Sequence, residues 1–279
     1  MNLSDMKRLS GDYHTHSIYD DGKSTLLEMA LSAERAGLDY LGFSGHACQP
    51  FGEEYCIAPE RVRDYVAEAR QLQKQFLEEG HGLRLFVGLE LDIYGRPEED
   101  LDYVIGSAHG IMADGRLYNV DESPETTGRL IDEVFSGDAY AMTRAYYDNV
   151  AKIPRLTGCS IIGHFDLVTK FNEKQPMFDE QDKRYLDAAL SVMEYLVKQD
   201  MIFEINTGAI SRGWRTEPYP DMRLLRALYD MGGRIMLNSD SHHRDTVAYG
   251  FELAKRRAKE AGFSSSVLLT ESGFLETAL

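Results

Sequence analysis

The chain has 279 residues, 43% of them apolar, with 46 acidic against 30 basic side chains and a formal charge of −16. That apolar content excludes wholesale disorder, and so acidic a surface repels phosphate backbones and anionic lipid, which excludes a general nucleic-acid or membrane binder. No apolar run approaches the roughly 18 residues of a membrane span and the N-terminus lacks a signal-peptide pattern. The three cysteines, Cys48, Cys56 and Cys159, contain no C-x-x-C pair, so the expected setting is a reducing cytoplasm.

Strand-like runs alternate with helical patterns along nearly the whole chain. A first strand falls around Leu9 to Tyr13. A helix starts near Thr25, where Thr25 and Glu28 have capping-box spacing, and stops at Gly37. Tyr40 to Ser44 reads as the second strand. Pro59 opens a helix whose apolar positions Val62, Tyr65, Val66, Ala69, Leu72 and Phe76 recur in steps of three to four until Gly80. Leu83 to Glu90 and Tyr103 to Ala108 are the third and fourth strands, followed by an irregular, partly helical insertion at about 110–156. Ser160 to Gly163 is the fifth strand, and a helix striped by Tyr185, Leu186, Ala189, Leu190, Met193, Leu196 and Val197 comes next. Met201 to Ile205 and Arg234 to Leu237 are the sixth and seventh strands, with a helix through Leu224, Leu225 and Leu228 between them, and Phe251 to Ala261 is the last helix. Some seven alternations of strand and helix predict an α/β fold with a parallel sheet, closed at this length into a single barrel domain spanning 1–279.

The histidines sit at the ends of these strands. His14 and His16 follow strand one, His46 strand two, His109 strand four and His164 strand five; Glu90 ends strand three, and Asp240 and His242 follow strand seven. In a parallel barrel all those ends share one face, where active sites are built. Any one such histidine reads most simply as structural, but the joint placement points to metal. His14 and His16 alternate about Thr15 and so reach the same side of an extended segment. Imidazole mixed with carboxylate suits zinc, manganese or iron. Asp21 lies close enough to join, whereas Asp20 reads as turn chemistry before Gly22. His81, between a helix and a strand, is expected on the opposite face. His243 is open between a proton donor and a helix cap.

These motifs, in order, are His14-Thr15-His16-Ser17 with Asp21-Gly22, Ser44-Gly45-His46, Gly88-Leu89-Glu90, Ser107-Ala108-His109, Gly163-His164-Phe165-Asp166 and Ser239-Asp240-Ser241-His242. Together they resemble the polymerase and histidinol phosphatase (PHP) superfamily from roughly Asp12 to Phe263. Gly163 to Leu167 with Lys170-Phe171, and Glu204-Ile205-Asn206-Thr207 leading to Pro218-Tyr219-Pro220, look most like its histidinol-phosphatase branch. One departure is Ser44-Gly45-His46, where the usual motif is Thr-Asp-His; an acidic group beside the ligand is lost. The resemblance implies a distorted TIM-like (β/α)7 barrel holding up to three divalent ions (Zn, Mn or Fe). One ion would take His14, His16, Glu90 and Asp240; a second Glu90, His109 and His164; a third Asp21, His46 and His242.

The expected reaction is metal-assisted hydrolysis of a small-molecule phosphomonoester by a hydroxide held between two ions, with Asp240 and His242 in the catalytic set. About six metal charges against the carboxylates of Asp21, Glu90 and Asp240 leave a locally positive pocket despite the chain's overall charge. Bound water, His242 or His243 is left open as the source of the proton for the leaving oxygen. Lys170, Arg212 and Arg215 are the expected phosphate clamp. Glu53, Glu54, Trp214 and Tyr219 lie on loops suited to the rest of the substrate. The expected substrate is L-histidinol phosphate, the alternative being another small ester such as a sugar or nucleotide phosphate. Amide or lactone hydrolysis on a related metallo-barrel lacks a bridging lysine at a strand end, and no heptad or strongly apolar helix face indicates an oligomeric state.

Overall fold

The computed structural model describes residues 9–48, 54–95 and 100–279. Seven strands form one parallel sheet in the order β1 (Gly11–Asp12), β2 (Tyr40–Phe43), β3 (Arg84–Asp92), β4 (Tyr103–Ser107), β7 (Ile161–Ile162), β8 (Ile202–Asn206) and β9 (Arg234–Asn238). The sheet curls until β9 meets β1. At that seam Tyr13 N donates to Asn238 Oδ1 (2.8 Å) and Ser239 N to Asp12 Oδ1 (3.0 Å). Just above, a parallel bridge joins Thr15 to Ser241. Side-chain bonds beside the two-residue strand β1 and the backbone bridge beyond it therefore close the barrel together.

Helices α1 (Leu26–Arg35), α2 (Val62–Glu78), α6 (Lys183–Val197), α8 (Met222–Asp230) and α9 (Phe251–Ala261) wrap the barrel. Their buried stripes, such as Tyr65, Ala69, Leu72 and Phe76 on α2, meet the outward strand residues in one continuous core. The Thr25–Glu28 capping box is formed at α1, and Gly37 and Gly80 follow their helices with φ of +77° each. Among the described residues no helix is long and apolar enough to cross a membrane.

The insertion carries a hairpin, β5 (Gly110–Ala113) and β6 (Arg116–Asn119), ahead of α3 (Pro124–Arg129), α4 (Ala139–Val150) and α5 (Ile153–Thr157). A short helix, α7 (Gly208–Ser211), follows β8. After α9 the chain makes a second hairpin, β10 (Ser265–Thr270) and β11 (Gly273–Ala278), which the sequence pattern did not indicate. Its Val267, Leu268 and Leu269 plug the bottom of the barrel against Tyr13, Phe86, Tyr103, Ile105 and Ile161. Tyr13 Oη donates to Leu269 O (2.7 Å) and accepts from Leu269 N (3.1 Å). The Tyr103 side chain crosses β2 and β3 inside the barrel, where a Cβ on Gly42 would stand 2.2 Å from its Oη and one on Gly88 2.6 Å from its ring. Only glycine admits the ring there. With the bottom filled by apolar side chains, the polar interior is confined to the C-terminal ends of the strands.

Candidate metal centre

The structure brings all nine predicted ligands to those strand ends, around Glu90. Glu90 is 1% exposed, and its two oxygens face different histidines. Oε1 lies 3.0 Å from His164 Nε2 and 3.4 Å from His109 Nε2; Oε2 lies 2.8 Å from His46 Nδ1 and 3.2 Å from His14 Nε2. Asp240 Oδ1 is 3.3 Å from His16 Nε2 and 3.4 Å from His242 Nδ1, and Asp21 Oδ1 is 3.2 Å from His242 Nε2. Four groupings place ligand atoms within 4.8 Å of one another: His14, His16 and Asp240; His14, Glu90 and His164; His46, Glu90 and His109; and His16, Asp21, His46 and His242. His46 therefore belongs with Glu90 and His109 as well as with Asp21 and His242. His16 is shared between that last group and the one with His14 and Asp240, so the division into ligand sets implied by the resemblance is less sharp in space.

The donor atoms fit metal ions. His14 Nε2, His16 Nε2, Asp21 Oδ1 and Glu90 Oε2 are buried without a hydrogen-bond partner, a costly arrangement for polar atoms unless a cation satisfies them. Their electrostatics agree. Burial opposes a charge on His14, yet Glu204, Glu90 and Asp240 raise it well above the usual imidazole range; Glu90 and Asp240 are held well below the usual carboxylate range despite their burial. A divalent ion entering this nest of carboxylates would displace protons from imidazole. His242 behaves differently: burial, His16 and Arg212 push it down to about 4, which favours the neutral imidazole that a metal ion needs. Asp240 takes a left-handed φ of 51°, rare for a non-glycine residue and in keeping with a side chain aimed by the backbone around it.

Outer groups orient the imidazoles. Glu204 Oε1 takes His14 Nδ1 at 2.7 Å, and Asp20 Oδ2 takes His16 Nδ1 at 2.7 Å. Asp92 Oδ2 accepts His109 N at 2.8 Å, and Ser107 Oγ donates to Glu90 Oε1. With Nδ1 committed, His14 and His16 present Nε2 to the centre. None of these roles is evident in the sequence, where Asp20 has the look of a turn residue before Gly22 and Glu204 is only part of the string Glu204-Ile205-Asn206-Thr207. The available signal was the parity of strand β8, which turns Glu204 into the barrel beside Asn206.

Above the ligands lies a cavity of about 220 Å³. Lys170 and Arg212 line it, with Tyr55, Asn119, Asp121 and Glu122 on its rim. Lys170 Nζ donates to Asp121 O (2.7 Å) and lies 3.1 Å from Asp121 Oδ2; Arg212 Nη2 donates to Asp240 Oδ2 at 2.9 Å. Arg215 is placed elsewhere. Buried and outside the cavity lining, it donates to the Thr169 carbonyl and hydroxyl and packs 4.8 Å over the Tyr219 ring. Trp214 stands edge-on to Phe171, also off the lining, and Tyr219 is buried. Glu54 is exposed and does not line the cavity, and Glu53 lies outside the described residues. His243 caps the turn at Arg244–Thr246, and His81 pairs with Glu34 on the outside of the barrel.

The PHP domain family model matches residues 12–208. A "Probable histidinol-phosphatase" of Schizosaccharomyces pombe is 27% identical, the match covering 92% of this chain and 88% of that one. A protein of the same name from Deinococcus radiodurans is 29% identical over 90% of this chain and 93% of its own. In structure, the chain resembles histidinol phosphate phosphatase from Lactococcus lactis, solved with zinc, L-histidinol and phosphate, with a TM-score of 0.72 at 20% identity over 95% of this chain and 98% of the other. The family model spans well over half the chain, and its range contains the first seven of the nine ligands: the protein belongs to the PHP domain family.

Proposed function

We propose that this protein is a metal-dependent phosphomonoesterase that hydrolyses L-histidinol phosphate to L-histidinol and phosphate, a step of histidine synthesis in the cytoplasm. The observation that carries the reading is the pairing of two features in one cavity. Its floor holds buried imidazole and carboxylate atoms with no hydrogen-bond partner, and its wall carries Lys170 and Arg212. The likeness to proteins named as histidinol-phosphatases supports the choice of ester.

His14, His16, Asp21, His46, Glu90, His109, His164, Asp240 and His242 would hold divalent ions, which when bound would supply Lewis-acid charge and lower the pKa of water towards ~7. The chain's own residues do the rest. Lys170 and Arg212 set two cations towards the phosphoryl oxygens. Arg212 is itself fixed by Asp240, so its guanidinium enters the cavity at a set angle. Glu204 and Asp20 hold His14 and His16 with Nε2 inward. Glu122 in the lining offers a carboxylate to the ammonium or the imidazole, the groups that distinguish histidinol phosphate from a sugar phosphate, while Asp121 holds Lys170.

The test is phosphate release by manganese-loaded protein from L-histidinol phosphate and from a panel of sugar and nucleotide phosphates. A kcat/KM above ~10⁴ M⁻¹s⁻¹ for histidinol phosphate, far above the panel, is the expected result. Slow and even turnover across the panel would keep the phosphoesterase and discard the substrate; no release from any ester would discard the reaction.

A further inference from the structure

We propose that Asp20 is the positioning carboxylate of the centre, standing in for the acidic group that Gly45 lacks, and that the two positions are coupled. By the resemblance noted above, Gly45 sits where the usual motif has aspartate, immediately before the candidate ligand His46. A Cβ built on Gly45 would lie 3.2 Å from Asp20 Oδ2 and 3.4 Å from Asp20 Cγ, with Ile57 Cδ1 at 2.9 Å. Asp20 and the end of a flexible isoleucine therefore fill the volume that a side chain at 45 would enter. The carboxylate there serves both neighbouring ligands. Asp20 Oδ2 takes His16 Nδ1 at 2.7 Å and accepts His46 N at 3.0 Å, while Oδ1 accepts Ser17 N at 2.8 Å. One fully buried carboxylate thus holds the His16 ring and pins the backbone at His46.

The coupling follows from volume and charge. An aspartate at 45 in the present chain would place a second carboxylate against the first, with both buried and one of them short of donors. Removing Asp20 alone leaves His16 Nδ1 and His46 N without their acceptor. With a small residue at 20, however, an aspartate at 45 extends its oxygens about 2.4 Å beyond Cβ, into the space Asp20 vacates. Each single change should therefore harm the centre, and the pair should repair it.

The inference rests on the metal reading of the cluster, and its test separates the two. Wild type, Asp20→Ser, Gly45→Asp and the double variant are compared by chelator competition for bound zinc and by thermal unfolding of the metal-free proteins. Each single variant should lose about 10–100-fold in zinc affinity, and the double variant should recover to within several-fold of wild type. Asp20→Asn, which keeps one acceptor oxygen, should fall between wild type and Asp20→Ser. Losses that simply multiply in the double variant, or a wild-type affinity in Asp20→Ser, would overturn the proposal. Metal-free melting that tracks all four affinities would reduce Asp20 to a structural role and also overturn it. A wild type that binds no metal would sink the metal reading, and this inference with it.

Discussion

Replacing Glu204 with glutamine tests whether the centre depends on a carboxylate that binds no substrate and need bind no metal. Glu204 is fully buried and takes four donors. Oε1 accepts His14 Nδ1 (2.7 Å) and Asn238 Nδ2 (2.9 Å); Oε2 accepts His164 N (2.8 Å) and Asn206 Nδ2 (2.7 Å). Burial opposes its charge, but His14 and these donors keep the carboxyl below its usual value. Glutamine offers one carbonyl oxygen, so its NH2 must face two of the four donors. Turning that NH2 towards Asn206 cannot be relieved by flipping Asn206, whose Oδ1 already accepts Gly208 N at 2.8 Å. Two buried donors left unpaired cost about 2–6 kcal/mol. For a chain of this size that corresponds to a fall of roughly 5–20 °C in melting temperature. Either orientation disturbs His14 or the backbone at His164, and loss of such an orienting group lowers metal affinity about 10–100-fold. The assays are thermal unfolding of the metal-free protein and chelator competition for zinc. A melting point within ~1 °C of wild type, together with an unchanged competition midpoint, would refute the role given to Glu204.

Three further outcomes are expected. Glu90→Gln should remove at least one equivalent of bound metal and lower turnover about a hundredfold or more, because both Glu90 oxygens face histidines; full metal content by elemental analysis would contradict the bridging position. Arg212→Ala should lower kcat/KM about 10–100-fold, the worth of a charge-assisted contact, while metal content is retained; wild-type kinetics would move the phosphate clamp to Lys170 alone. Asp166, pushed up to about 7 chiefly by burial, accepts Asp221 N through Oδ2 while Oδ1 has no hydrogen-bond partner. Its folded-state value lies above the unfolded one, near 3.9. Its contribution is therefore best below about pH 4 and declines as pH rises to about 7, by at most ~4 kcal/mol. Asp166→Asn lacks that decline, so urea unfolding should show the variant gaining on wild type between pH 5 and pH 8. A stability difference that does not change over that interval would contradict the assignment.

The strand ends were readable because a parallel strand–helix repeat leaves every strand's C-terminus on one face, and this chain puts a histidine or carboxylate at almost all of them. Groups whose role depends on an unrelated part of the chain were not readable. Asp20 and Asp21 are neighbours in one turn, yet Asp20 turns inward to His16 and His46, whereas Asp21 faces His242. Arg212 and Arg215 lie three residues apart on one loop, and only Arg212 reaches the cavity. The closing hairpin escaped notice for a related reason: β11 keeps Phe274 and Leu275 exposed, so its sequence has no clean inward–outward alternation, and it is a strand because it pairs with β10.

Hydrophobic periodicity and strand-end placement, both local properties of the chain, thus determined the barrel, the order of its elements and the gathering of the nine candidate ligands. Apart from the local pair of Asp20 and His16, the partners of those residues were decided by closure of the sheet. Closure brings Glu204 of β8 to His14, 190 positions earlier in the chain, and Asn238 of β9 to Tyr13. A hydrogen bond acts over about 3 Å of space, whatever the separation along the chain.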